Sequence, residues 1–91
     1  MRTASENIRT ILAENIRAYR RSKNISQEEL AEKCGLHRTY VGSVERCERN
    51  VTLSTLELLA SALGVSVPEL LSNSEIPETE KLQTSKETIN L

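Results

Sequence analysis

The side chains that could do covalent or metal chemistry in this sequence are few. Cys34 and His37 form one Cys-x-x-His pair, and Cys47 is the only further soft ligand. That set is one ligand short of a tetrahedral zinc site, so no metal is expected. There is no nucleophile–base constellation, no glycine-rich phosphate loop and no cofactor signature. Neither an enzyme nor a bound cofactor is therefore expected. Cys34 reads as a small core residue, and a disulfide is not expected in a reducing compartment.

The arginines carry the other chemistry on offer, recognition of phosphate and of guanine. A guanidinium is a planar fork of donors that fits phosphate oxygens, or the O6 and N7 of guanine, bidentately. Basic residues cluster at Arg17, Arg20, Arg21 and Lys23, and again at Arg38, Arg46 and Arg49. The net charge of −1 over 91 residues hides this distribution. Residues 1–68 hold ten Lys and Arg against eight Glu, a net of +2, and residues 69–91 hold two Lys against five Glu, a net of −3. Local distribution decides whether a groove-facing surface attracts a polyanion.

Helices must position these groups. The hydrophobic fraction is 37%, only Tyr19 and Tyr40 are aromatic, and no segment alternates with period two. Thr3-x-x-Glu6, Ser26-x-x-Glu29 and Ser66-x-x-Glu69 each fit a capping box, and Gly35 and Gly64 fit left-handed positions that end helices. Pro68 falls in the first turn after Ser66, where its missing N–H costs little. Five helices follow, over 4–22, 27–34, 38–46, 53–63 (with Thr52 as cap) and 67–71. Ile8, Leu12, Ile16 and Tyr19 form one buried stripe on the first. No apolar run approaches the roughly 20 residues that span a bilayer, and the first seven residues lack the apolar stretch of a secretion signal. A cytoplasmic protein with no membrane association is expected. The chain divides into a domain over 1–72 and a flexible acidic tail over 73–91, where Ser, Thr, Glu, Lys and Asn dominate and Pro77 interrupts any helix.

The most informative stretch is 27–45, QEELAEKCGLHRTYVGSVE. Two helices joined by a short turn cross closely and need small or turn-forming residues at fixed places. Ala31 is small where the second of the pair would pass, Gly35 supplies the turn, and Val41 and Val44 face inward. Leu30, Cys34 and Leu36 complete the local core. The opposite face then presents Arg38, Thr39, Gly42, Ser43 and Arg46. Gly42 weakens the helix by about 1 kcal/mol relative to alanine. One reason to keep it is that a side chain there would obstruct approach to the bases.

The run SQEELAEKCGLHRTYVGSVERCERNVTLSTLELLASALGV resembles the lambda-repressor/Cro-type, or XRE-like, helix-turn-helix family over residues 12–71. Within it, HRTYVGSVER followed by RN is similar to the controller proteins of restriction-modification systems. Two departures stand out. Cys47 occupies a place that is often Gly in the family, which puts the turn leaving the third helix in question, and Val51 one that is often Pro.

The resemblance implies an all-α, compact five-helix helix-turn-helix DNA-binding domain with a polar C-terminal tail. It implies a sequence-specific transcriptional regulator on double-stranded DNA, binding a two-fold symmetric operator as a homodimer. Arg38 is the leading base reader, with Thr39 able to meet a thymine methyl and Ser43 and Arg46 on the same face. For Tyr40, a core ring with a surface hydroxyl and a DNA contact are both open. His37 is read as a cap or phosphate ligand. Gln27 resembles the family glutamine that meets the backbone and braces the base readers. Arg49 and Asn50 lie in the loop before the fourth helix, within reach of the sugar-phosphate chain. The family pairs an arginine late in the first helix with a glutamate, which implies a structural Arg20–Glu45 ion pair. Leu70 and Leu71 offer a dimer interface; the other reading is that both close the monomer core. The alternative function is an antitoxin or other protein-binding module that engages a protein partner through the tail.

Overall fold

The computed structural model describes residues 5–73, where the regular elements are five helices: α1 (Glu6–Ser22), α2 (Gln27–Cys34), α3 (Arg38–Glu45), α4 (Leu53–Leu63) and α5 (Val67–Leu70). No strand occurs among the described residues. The tail after Asn73 lies outside them, as do Thr3 and Ala4. The first helix is capped by Ser5 and not Thr3: the Ser5 hydroxyl accepts from the Ile8 amide at 3.2 Å.

Hydroxyl caps start four of the five helices. Ser26 accepts from the Glu29 amide at 3.0 Å while Glu29 Oε1 accepts from the Ser26 amide at 2.7 Å. Ser66 and Glu69 repeat this reciprocal box at the start of α5, with distances of 3.2 and 2.7 Å. Thr52 caps α4 by accepting from the Thr55 amide at 3.2 Å. Only α3 begins without a side-chain cap, because His37 stands at the cap position and its ring does not bond the helix amides.

The first four helices also end alike. In each, a residue in the left-handed region is followed by one whose amide reaches back to a carbonyl five positions earlier. Those bonds are Ile25 N–H to Arg20 O, Leu36 N–H to Ala31 O, Glu48 N–H to Ser43 O and Val65 N–H to Ala60 O. The left-handed residues are Asn24, Gly35, Cys47 and Gly64. Asparagine tolerates this conformation and glycine is unrestricted in it, so Cys47, with φ +67°, is the strained member. The turn leaving α3 therefore keeps the geometry a glycine would give, on a residue that carries a Cβ.

Leu12 and Ile16 of α1, Leu30, Ala31 and Cys34 of α2, Val41 and Val44 of α3, Leu56, Leu59, Ala60 and Leu63 of α4, and Leu70 of α5 form one core. Ile8 and Tyr19, at the ends of the α1 stripe, are half-buried. Ala31 is 2% exposed, a small residue within the packed helix pair. Burial pushes the Cys34 thiol above its ordinary pKa, which keeps it protonated and unreactive.

Leu70 is fully buried and belongs to this core, so it cannot serve a dimer interface. Its position is fixed by a polar tie that the sequence reading does not include. Asn15, 5% exposed on α1, donates through Nδ2 to the main-chain oxygens of Leu70 at 2.8 Å and Ser72 at 3.0 Å. One amide thus satisfies carbonyls at the end of α5 that have no partner within so short a helix.

Replacing Cys47 with glycine should relieve the left-handed strain, partly offset by glycine's greater freedom in the unfolded chain. The expected outcome for Cys47→Gly is a gain of about 0.5–1 kcal/mol and a Tm higher by about 2–8 °C, measured by thermal unfolding followed by circular dichroism.

Candidate nucleic-acid interface

Glu45 is the charged group around which the site is built. It is the last residue of α3 and only 3% exposed. An unpaired carboxylate so placed would be costly, and the two other helices of the site supply its partners. Arg20 of α1 engages it bidentately, Nε donating to Oε2 at 2.8 Å and Nη2 to Oε1 at 3.1 Å. Gln27 of α2 donates through Nε2 to Oε1 at 3.0 Å. Arg17 of α1 donates through Nη1 to the Glu45 main-chain oxygen. The remaining Arg20 donor, Nη1, holds Ile25 O in the α1–α2 turn at 3.0 Å. The hydrogen bonds to Glu45 raise the Arg20 pKa, more than burial lowers it. Arg17 and Arg20, which the sequence groups with the phosphate-attracting cluster, are thus structural.

With its inner side held by Glu45, Val41 and Val44, α3 turns its other side outward. Gln27, Arg38, Thr39, Gly42 and Arg46 line an open cleft of about 180 Å³. Arg38 and Thr39 are exposed in the uncapped first turn. His37 is exposed, with Nδ1 3.2 Å from the Thr39 hydroxyl. Arg46 is exposed and paired with Glu48, a residue absent from the sequence-based site. Gly42 is covered by neighbours: a Cβ there would stand 3.2 Å from Arg46 Nη1 and 3.6 Å from Gln27 Oε1. Its lack of a side chain therefore serves packing between α2 and α3 side chains.

Ser43 departs from the sequence reading. It is 6% exposed, and its hydroxyl donates to Tyr40 O at 2.7 Å and accepts from Arg49 Nε at 2.9 Å. It cannot reach a base; the chain leaving α3 folds Arg49 back over it. The Arg49 guanidinium also lies 5.2 Å from the Tyr40 ring centroid, a cation–π distance. Tyr40 is half-buried against the core and so acts as a platform for Arg49. Asn50 is exposed in the same loop.

The helix-turn-helix family model matches residues 16–70. The chain belongs to the helix-turn-helix family. It is a DNA-binding transcriptional regulator. The chain is 69% identical over 65 residues to control protein C.SmaI of Serratia marcescens, covering 71% of this chain and 77% of that protein. The crystal structure of the restriction-modification controller protein C.AhdI from Aeromonas hydrophila superposes with a TM-score of 0.66 at 44% identity, covering 68% of this chain and 94% of that one. The controller protein C.Esp1396I, solved as a tetramer with its natural 35 base-pair operator, gives a TM-score of 0.62 at 34% identity over 71% of this chain and 96% of that one. Within the family's architecture, α2 and α3 are the helix-turn-helix pair and α3 is the recognition helix. No described helix is long and apolar enough to cross a membrane.

The Glu45 network separates residues that hold α3 from residues that face outward, and stability measurements should separate them too. Arg20→Ala leaves Glu45 buried without its main partner and should cost about 3–5 kcal/mol. Thr39→Ala, on the exposed face, should change stability by less than about 0.5 kcal/mol. Urea unfolding of the two variants checks the contrast.

Proposed function

We propose that the protein is the controller of a restriction-modification operon, and that it binds a two-fold symmetric operator as a homodimer. The observation that carries the DNA reading is the outer face of α3: Arg38, Thr39 and Arg46 with Gln27 around one cleft, on a helix whose first turn has no side-chain cap. Uncapped amides and the positive end of the helix dipole favour an approaching anion. The similarity to C.SmaI and C.AhdI supports the restriction-modification context.

In this reading Arg38 contacts guanine and Thr39 a neighbouring base or methyl group. Arg46 stands about two turns further along α3. Arg49, stacked on Tyr40 and braced by Ser43, contacts phosphate, as do His37 and Asn50. Gln27, with its Nε2 engaged by Glu45, offers its Oε1 side to the cleft and holds the base-reading side chains in place.

Selection of duplexes from a random pool, repeated with Arg38→Ala, tests this. Wild type should yield a two-fold symmetric motif, and the variant should lose preference at particular positions, each bidentate guanine contact being worth about 1–3 kcal/mol of discrimination. No enrichment at low salt would overturn the regulator reading and direct attention to a protein partner of residues 73–91.

The dimer contact is assigned to α5 and its flank. Val67 and Leu71 are four residues apart, half-buried, and so share one helical face. Leu71 also lines a groove of about 160 Å³ with Ile8, Leu12, Val51 and Leu56, which Arg9 and Arg49 line as well. Two copies joined there would present two recognition helices to half-sites about 34 Å apart. Leu71→Glu and Val67→Glu should each shift sedimentation equilibrium toward monomer and abolish binding to the full operator. A dimer undiminished in both variants would move the interface elsewhere.

A further inference from the structure

Arg46 stands at the C-cap of α3, and its side chain turns back over Gly42 into the base-facing cleft. Two residues later Glu48 holds it: Arg46 Nε donates to Oε2 at 3.2 Å and Nη2 to Oε1 at 3.3 Å. Residues two apart do not face each other on a helix. They meet here because Cys47, in the left-handed region, reverses the chain between them. The pair is open to solvent, with the side chains 62% and 54% exposed.

The two donors engaged by Glu48 form one edge of the guanidinium fork. That edge is what arginine offers to a phosphate or to guanine O6 and N7. A carboxylate presents two acceptor oxygens in much the same arrangement. We propose that Glu48 is a built-in competitor for the DNA site of Arg46, an affinity-tuning residue that DNA must displace before it can use this edge of the guanidinium. The proposal rests on the reading of this cleft as the DNA-binding face.

Glu48 then acts in two ways. In the free protein it holds the Arg46 guanidinium over Gly42, close to the helix, where the absence of a Cβ leaves room for it. On DNA, once displaced, it remains a negative charge beside phosphates. The first effect lowers affinity only where Arg46 engages DNA, and the second lowers it at every site. An exposed ion pair is weak enough to open readily, so the competitor tunes binding and does not block it.

A double-mutant cycle tests the assignment. Wild type, Glu48→Gln, Arg46→Ala and the double variant are titrated by fluorescence anisotropy against one duplex recovered by selection, over a range of salt concentrations. Glu48→Gln should tighten binding, and its gain should be about threefold larger with Arg46 present than with Arg46→Ala, the size expected of an exposed ion pair. With Arg46 present, the salt dependence of Glu48→Gln should steepen by up to about one unit of log Kd per log salt, because a carboxylate no longer offsets the phosphate contact of Arg46. An equal gain in both backgrounds would overturn the proposal, since Glu48 would then act only as a distant charge. No gain in either would overturn it as well. Failure of the underlying DNA reading is distinguishable, because wild type itself would then not bind the selected duplex.

Discussion

A buried carboxylate at the end of the recognition helix is the constraint from which the rest of the structure follows. Glu45 sits where α1, α2 and α3 meet, and its charge is tolerable only if α1 and α2 each supply a donor at a fixed distance. Arg20 and Arg17 come from successive turns of α1, and Gln27 from the first turn of α2. Apolar packing alone would let α3 roll or slide by a fraction of a turn at small cost. A bidentate pair does not permit that without leaving a charge unmatched. The orientation of the outer face of α3 is thus set from its inner face.

The chain around α3 has the opposite character, shaped by what it omits. Ala31 and Gly42 leave room for neighbours, and His37 leaves the first amides of α3 without a side-chain cap. Cys47 bends the chain sharply enough to bring Glu48 onto Arg46 and Arg49 onto Ser43. A less abrupt exit from α3 would carry both arginines away from the groove-facing side. The strain at Cys47 is therefore tied to the positions of Arg46 and Arg49.

Much of this was legible in the sequence because helices announce themselves through caps and periodicity. Ser26, Ser66, Thr52, Gly35 and Gly64 marked ends correctly, since a cap or a left-handed turn is a local requirement that a single residue type meets. For the first helix Thr3 and Ser5 are both good N-caps by residue type, and Ser5 is the one that caps α1. Ser43 looked exposed because a helical wheel places it opposite Val41. The wheel cannot know that Arg49, six residues on, folds back over it. Leu70 and Leu71 looked equivalent, but only one register of α5 satisfies Asn15, and it turns Leu70 inward. Arg17 and Asn15 were invisible as structural groups because their partners are main-chain oxygens, which have no signature in sequence.

The arginines of the domain show how so little net charge can serve recognition. Arg20 is neutralised by Glu45 and adds little to the outer field, while Arg17 is fixed on the Glu45 main-chain oxygen. Arg49 is held by a ring and a hydroxyl, so it meets a partner with less freedom left to lose. Arg46 is held by an exchangeable carboxylate. Arg38 is exposed and makes no ion pair among the described residues. The net positive charge available to a polyanion is therefore small. Nonspecific binding scales with the number of phosphates neutralised, so it should be weak for a single domain. Direct contacts and pre-positioned side chains must then supply most of the difference between an operator and other DNA, and joining two domains multiplies that difference without raising the charge of either.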